Sequence, residues 1–126
     1  MRLHESGEMY LESIWVLRKK KGFVRAIDVC EYLGYSKPSV SRAVALLKEN
    51  GYLQVEKGGG LLLTQAGQDI AEKIYERHTL LTSVLLRMGV PEEVALRDAC
   101  RMEHVISDET FDALKRIARQ IETANA

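Results

Sequence analysis

The stretch Gly34-Tyr35-Ser36-Lys37-Pro38 constrains this chain more than any other, because it separates two segments of helical periodicity. Gly34 suits a helix stop, Ser36 an N-cap, and Pro38 the first turn of the helix that follows. Upstream, Ala26–Leu33 is a short helix with Val29 and Leu33 facing inward, and Cys30 reads as a small buried hydrophobe. Downstream, a helix runs to about Asn50 and stops at Gly51. Two short strands are expected next, near Leu53–Lys57 and Leu61–Thr64, with Gly58-Gly59-Gly60 as the turn. Helix, tight turn, helix and hairpin form the plan of a winged helix-turn-helix.

The rest of the chain is helical. Residues 5–21 form a first helix with Tyr10, Ile14 and Leu17 at helical spacing; its basic end, Arg18 to Lys21, reads as a solvated C-terminus. A long helix over about 65–88 breaks at Gly89, and Pro91 opens another through about Val105. Ser107 caps a last helix whose apolar stripe is Phe111, Leu114, Ile117 and Ile121. The fold class is therefore mainly α: a winged helix-turn-helix domain over 1–64 and a helical domain over 65–126. No apolar run approaches the roughly 20 residues of a membrane span, and Met1 to Glu5 is not a signal-peptide start. Two distant cysteines, Cys30 and Cys100, fit a reducing cytoplasm. The net charge of zero conceals a gradient: residues 1–64 carry 10 Lys and Arg against 7 Asp and Glu, and the remainder carries 8 against 11. A basic front half points to an anionic partner there.

The helix after the turn is the expected reader of DNA. Val40, Val44 and Leu47 must face the core, which turns Ser36, Lys37, Pro38, Ser39, Ser41 and Arg42 outward, mostly in the N-terminal half that enters a major groove. Small side chains permit close approach, Pro38 can meet thymine methyls, and Arg42 can grip guanine through two hydrogen bonds. Ser39 and Ser41 can bind bases or phosphates. Lys57, beside the three glycines, suits a phosphate or minor-groove contact.

A second constellation has metal chemistry. Cys100, Glu103 and His104 stand at i, i+3 and i+4, a spacing that puts a thiolate, a carboxylate and an imidazole on one helix face. Met9 and Glu12 share a face of the first helix, and His78 interrupts the apolar stripe of the long helix. Each residue alone has a bland reading as packing or a satisfied core group. No paired-cysteine zinc motif, His-Glu-x-x-His, P-loop or nucleophile elbow is present, so an enzyme is not expected.

These residues resemble the metal-dependent repressors of the DtxR/MntR family. Glu8-Met9-Tyr10-Leu11 is similar to that family's first-helix segment. Asp98-Ala99-Cys100-Arg101-Met102-Glu103-His104-Val105-Ile106-Ser107-Asp108-Glu109 is very close to the iron-sensor form of its metal helix. The resemblance implies a homodimer that binds a palindromic operator in double-stranded DNA when loaded with Fe²⁺ or Mn²⁺; Zn²⁺, Co²⁺ or Ni²⁺ can occupy such sites in vitro. It implies an iron-type primary site of Met9, Cys100, Glu103 and His104, and a manganese-type second site using Glu12 and His78. The chain is a hybrid. The manganese type has aspartate and glutamate where this chain has Met9 and Cys100, and Thr82 and Leu96 replace ligands of the iron type's ancillary site. Iron sensors add an SH3-like third domain, and this chain is expected to share the shorter manganese-sensor build.

The expected function is thus a cytoplasmic, metal-activated repressor of metal-uptake genes. The competing reading is a metal-independent winged-helix regulator sensing a small ligand, or oxidation at Cys100. A metal-dependent hydrolase would need a general base and a substrate cleft, which nothing here supplies.

Overall fold

The computed structural model describes residues 5–124, and the chain divides into two compact units, the first ending at Lys73 and the second beginning at Ile74. His4, given no role from sequence, lies outside the described residues.

The first unit holds α1 (Glu5–Lys21), α2 (Ala26–Leu33), α3 (Lys37–Glu49), β1 (Leu53–Val55), β2 (Leu61–Leu63) and the beginning of α4 (Gln65–Arg87). Each boundary follows from local chemistry. Gly34 ends α2 at φ 73°, and its N–H reaches the Cys30 carbonyl at 2.8 Å. Ser36 caps α3, its Oγ accepting from the Ser39 N–H at 3.3 Å. The core joins Leu11, Ile14, Val24, Val29, Val40, Leu53 and Leu61, all almost fully buried, with Val44 packed against them and Cys30 within the cluster.

The basic end of α1 serves structure. Lys21 donates to Asp28 at 2.6 Å, and the Arg25 N–H donates to the same carboxylate at 2.8 Å; together they hold the Asp28 carboxyl below the usual carboxylate range. Lys19 lies 3.7 Å from the centre of the Trp15 ring, and Arg18 reaches the Leu61 carbonyl at 2.9 Å.

The hairpin is antiparallel, with Leu53 opposite Leu63 and Val55 opposite Leu61. Its strands are shorter than the sequence suggested. Lys57 falls in the turn, which closes through Glu56 N–H to Gly60 O at 2.8 Å and Gly59 N–H to Glu56 O at 3.0 Å. Gly58 and Gly59 take φ of 93° and 88°, so the tip is built on conformations that other residues resist. The hairpin's return is tied down by the Leu61 N–H, 2.7 Å from the Val24 carbonyl.

Gly67, in the first turn of α4, is fully packed against the exit of α3. A Cβ there would stand 2.1 Å from the Tyr52 carbonyl oxygen. Helix propensity alone would favour alanine by about 1 kcal/mol. The contact is with backbone, which cannot swing away, so Gly67→Ala is expected to destabilise the first unit by about 1–3 kcal/mol net. A urea titration followed through Trp15 fluorescence checks the sign.

The second unit holds the rest of α4, α5 (Glu92–Met102) and α6 (Asp108–Ala124). Ser107 caps α6, its Oγ accepting from the Thr110 N–H at 3.0 Å. Two expectations change here. Helix α5 ends at Met102, and the next residues tighten into i→i+3 hydrogen bonds, His104 N–H to Arg101 O at 3.4 Å and Val105 N–H to Met102 O at 3.1 Å. The apolar stripe of α6 is split: Phe111 is buried, while Ile117 and Ile121 are 53% and 39% exposed and Ala118 takes an inner position. No described helix is long and apolar enough to cross a membrane.

Candidate metal centre and DNA-reading surface

The second unit concentrates ligating chemistry on one residue. Glu103 is fully buried, although a carboxylate loses much by leaving water. Two imidazoles compensate it: His78 Nδ1, from α4, lies 2.8 Å from Oε2, and His104 Nε2 lies 3.3 Å from Oε1. The His104 side chain is itself 1% exposed, and that of His78 is 28% exposed. Oε2 thus hydrogen-bonds a ring nitrogen, whereas Oε1 and His104 Nε2 stand close without a hydrogen bond between them. An imidazole that pairs with a carboxylate can also present its other nitrogen to a cation, an arrangement common around bound metals.

Cys100, Glu103 and His104 share one helix face only in part. Glu103 keeps helical angles and bonds back to the Ala99 carbonyl at 3.0 Å, but His104 has already left the helix. The tightened turn brings its ring to the carboxylate of its own neighbour. Cys100, expected on the same face, is an exposed thiol on α5, while Glu103 and His104 are buried. The structure thus brings together His78, Glu103 and His104 among the expected ligands of this unit.

The other two expected ligands belong to the first unit. Met9 and Glu12 lie on α1 and both are half-buried. The Tyr35 hydroxyl donates to the Met9 sulfur at 3.8 Å, a long, weak contact, and the Tyr35 ring meets Tyr10 edge-on with centroids 6.0 Å apart. Burial pushes the Tyr10 phenol above its ordinary pKa, so it stays neutral. Tyr35 was passed over in the sequence as part of a turn. Its position directly before the Ser36 cap ties a candidate ligand to the start of α3.

The residues expected to read DNA lie mostly on the outside of α3. Ser36, Lys37, Pro38, Ser41 and Arg42 are exposed, and Ser39 is half-buried. Ser36 is already engaged: besides capping α3 it donates to Ser39 Oγ at 2.9 Å. Lys37, Pro38, Ser41 and Arg42 lie open on the outer side of α3. Lys57 is exposed at the hairpin tip.

The donor set suits a divalent transition metal. Nitrogen from two imidazoles and oxygen from a buried carboxylate converge, and sulfur stands one helical turn upstream.

Comparison with known proteins covers nearly the whole chain. The family model "Iron dependent repressor, N-terminal DNA binding domain" matches residues 2–61, and "Iron dependent repressor, metal binding and dimerisation domain" matches residues 64–125. The transcriptional regulator MntR of Salmonella typhimurium is 37% identical over 111 residues, 88% of this chain and 71% of that protein. The HTH-type transcriptional regulator MntR of Bacillus subtilis is 35% identical over 121 residues, 96% of this chain and 85% of that protein. Among solved structures, the manganese regulator SloR superposes with a TM-score of 0.81 at 26% identity, over 94% of this chain and 55% of that one. A manganese-dependent transcriptional repressor in complex with manganese superposes with a TM-score of 0.79 at 25% identity, over 87% of this chain and 51% of that one. The chain spans about half the length of these solved structures. The curated relatives are transcriptional regulators, not enzymes, and the match to a metal-binding domain disfavours a metal-independent sensor. This chain belongs to the DtxR/MntR family of metal-dependent transcriptional repressors.

Proposed function

We propose that the protein represses metal-uptake genes in the cytoplasm by binding a palindromic operator as a homodimer, with Fe²⁺ or Mn²⁺ as the activating ion. The observation that carries this reading is the buried Glu103 carboxylate held between His78 and His104, on a chain whose other unit presents a winged helix-turn-helix. The proposed ligands are Met9, Glu12, His78, Cys100, Glu103 and His104. The bound ion supplies a dense positive charge that carboxylate, imidazole and sulfur donors can share. Metal binding selects the dimer whose recognition helices stand about 34 Å apart, the separation that meets successive major grooves. Metal and operator then strengthen each other reciprocally, by about 1–3 kcal/mol per coupling. The exposed Ile117 and Ile121 fit a surface covered by a second copy.

The test is operator binding against buffered free metal under anaerobic conditions. Binding that rises with Fe²⁺ or Mn²⁺ and falls with a chelator supports the reading, and metal-indifferent binding removes it. Within that assay the two classes of DNA contact should separate. Arg42→Ala is expected to relax preference at one base position per half-site, by about 1–3 kcal/mol. Lys57→Ala is expected to weaken all sequences alike and to flatten the salt dependence. Equal loss on every operator variant would make Arg42 a phosphate contact.

A further inference from the structure

The turn that carries Glu103 and His104 has a problem of its own. A helix end leaves carbonyls without N–H partners, and those buried in a tight turn need donors from elsewhere. Here the donor is Arg77. Its Nη1 donates to the Glu103 carbonyl at 3.1 Å and to the Ile106 carbonyl at 2.8 Å, and its Nη2 donates to Asp108 Oδ1 at 2.5 Å. The Arg77 side chain is 6% exposed, and its guanidinium carbon lies 5.4 Å from the centre of the Phe111 ring. One side chain thus bonds the beginning of the turn, its end and the first residue of α6.

The next residue on α4 is His78, which meets the Glu103 carboxylate. Consecutive residues of one rigid helix therefore hold both ends of Glu103: Arg77 the main chain, His78 the side chain. We propose, building on the metal-centre reading above, that Arg77 is a positioning residue that presets Glu103 and His104 for the ion. It does so without being a ligand, since a guanidinium has no lone pair to give. The role needs a planar fork. A lysine ammonium is a point charge and cannot reach two carbonyls and a carboxylate in the same geometry. Asp108 balances the guanidinium charge, so the clamp does not set a bare cation beside the ion's site.

The experiment uses the whole chain with Arg77→Lys, which keeps the charge and loses the fork, and Arg77→Met, which keeps the stem against Phe111 and loses both. His104→Ala serves as the ligand control. Val29→Ala, a cavity in the other unit, serves as the stability control. Two readouts are taken: Mn²⁺ affinity by calorimetry and the visible absorption of bound Co²⁺, which reports coordination geometry. Both Arg77 variants are expected to lose about 10–100-fold in Mn²⁺ affinity, the range for partners that orient ligands, and to change the Co²⁺ spectrum. Val29→Ala should keep both wild-type values. If Arg77→Met fails to fold, Arg77→Lys decides alone. Wild-type affinity and spectrum in the folded Arg77 variants, alongside lost binding in His104→Ala, overturns the proposal and leaves the metal centre standing. Wild-type binding in His104→Ala as well would instead remove the metal-centre reading beneath it.

Discussion

Glu103→Gln is expected to abolish metal-dependent operator binding while leaving a folded dimer. Glutamine keeps the size and one oxygen of the side chain but loses the negative charge that a divalent ion needs at the centre of its ligands. Losing a residue that only orients a ligand weakens metal binding by about 10–100-fold, so removing the central charged donor should exceed that. The fold should survive for a stated reason. The amide can keep the hydrogen bond to His78 and fill the same space beside His104, whereas Glu103→Ala would leave both rings facing a cavity. Operator gel shifts across a free-metal series, paired with sedimentation and thermal unfolding, separate the two effects. A variant with wild-type metal dependence would show that Glu103 is not a ligand. A variant that unfolds would show that its charge serves the core instead.

The features legible in the sequence are those set by a few neighbouring residues. Gly34, Ser36 and Ser107 mark helix ends because capping is local chemistry, and each caps as its type suggests. Val40 and Leu47 are buried because a helix has a fixed period. The triad Cys100, Glu103 and His104 was visible as spacing, but spacing assumed a helix that ends at Met102, so the real route of His104 to the carboxylate is a tightened turn.

What stayed hidden depends on distance along the chain. Arg77 reads as an ordinary polar residue beside His78, and its partners lie 26 to 31 residues away. The stripe of α6 reads in the sequence as one apolar face, yet Ile117 and Ile121 remain exposed while Phe111 and Ala118 take the buried positions. Lys57 moved from strand to turn because Glu56 closes the loop onto Gly60 sooner than the hydrophobic pattern indicated. Gly67 lay within a recognisable post-hairpin segment, but its reason, a carbonyl oxygen where a Cβ would go, comes from Tyr52 on the far side of the hairpin.

Metal choice is the remaining question that this chain's own residues address. Met9 offers a thioether and Cys100 a thiol that ligates as thiolate, both soft donors. Mn²⁺ is hard and prefers carboxylate, carbonyl and water, while Fe²⁺ tolerates sulfur better. If both residues ligate, Fe²⁺ is expected to activate operator binding at lower free concentration than Mn²⁺, even though the relatives matched above include manganese regulators. Zn²⁺ and Co²⁺ are expected to bind more tightly than Mn²⁺, in keeping with the general affinity order of divalent ions. The exposure of Cys100 makes oxygen exclusion necessary, because an oxidised thiol would imitate a weak site. The double change Met9→Asp with Cys100→Glu replaces both sulfurs by carboxylates and should move the response toward Mn²⁺. The measurement is anaerobic operator binding against buffered free Fe²⁺ and Mn²⁺ for the wild type and the double variant. A wild type that answers better to Mn²⁺, or an unchanged ratio in the variant, would sink the argument from softness. The repressor reading would survive either result, because Glu12, His78, Glu103 and His104 offer oxygen and nitrogen that serve both ions.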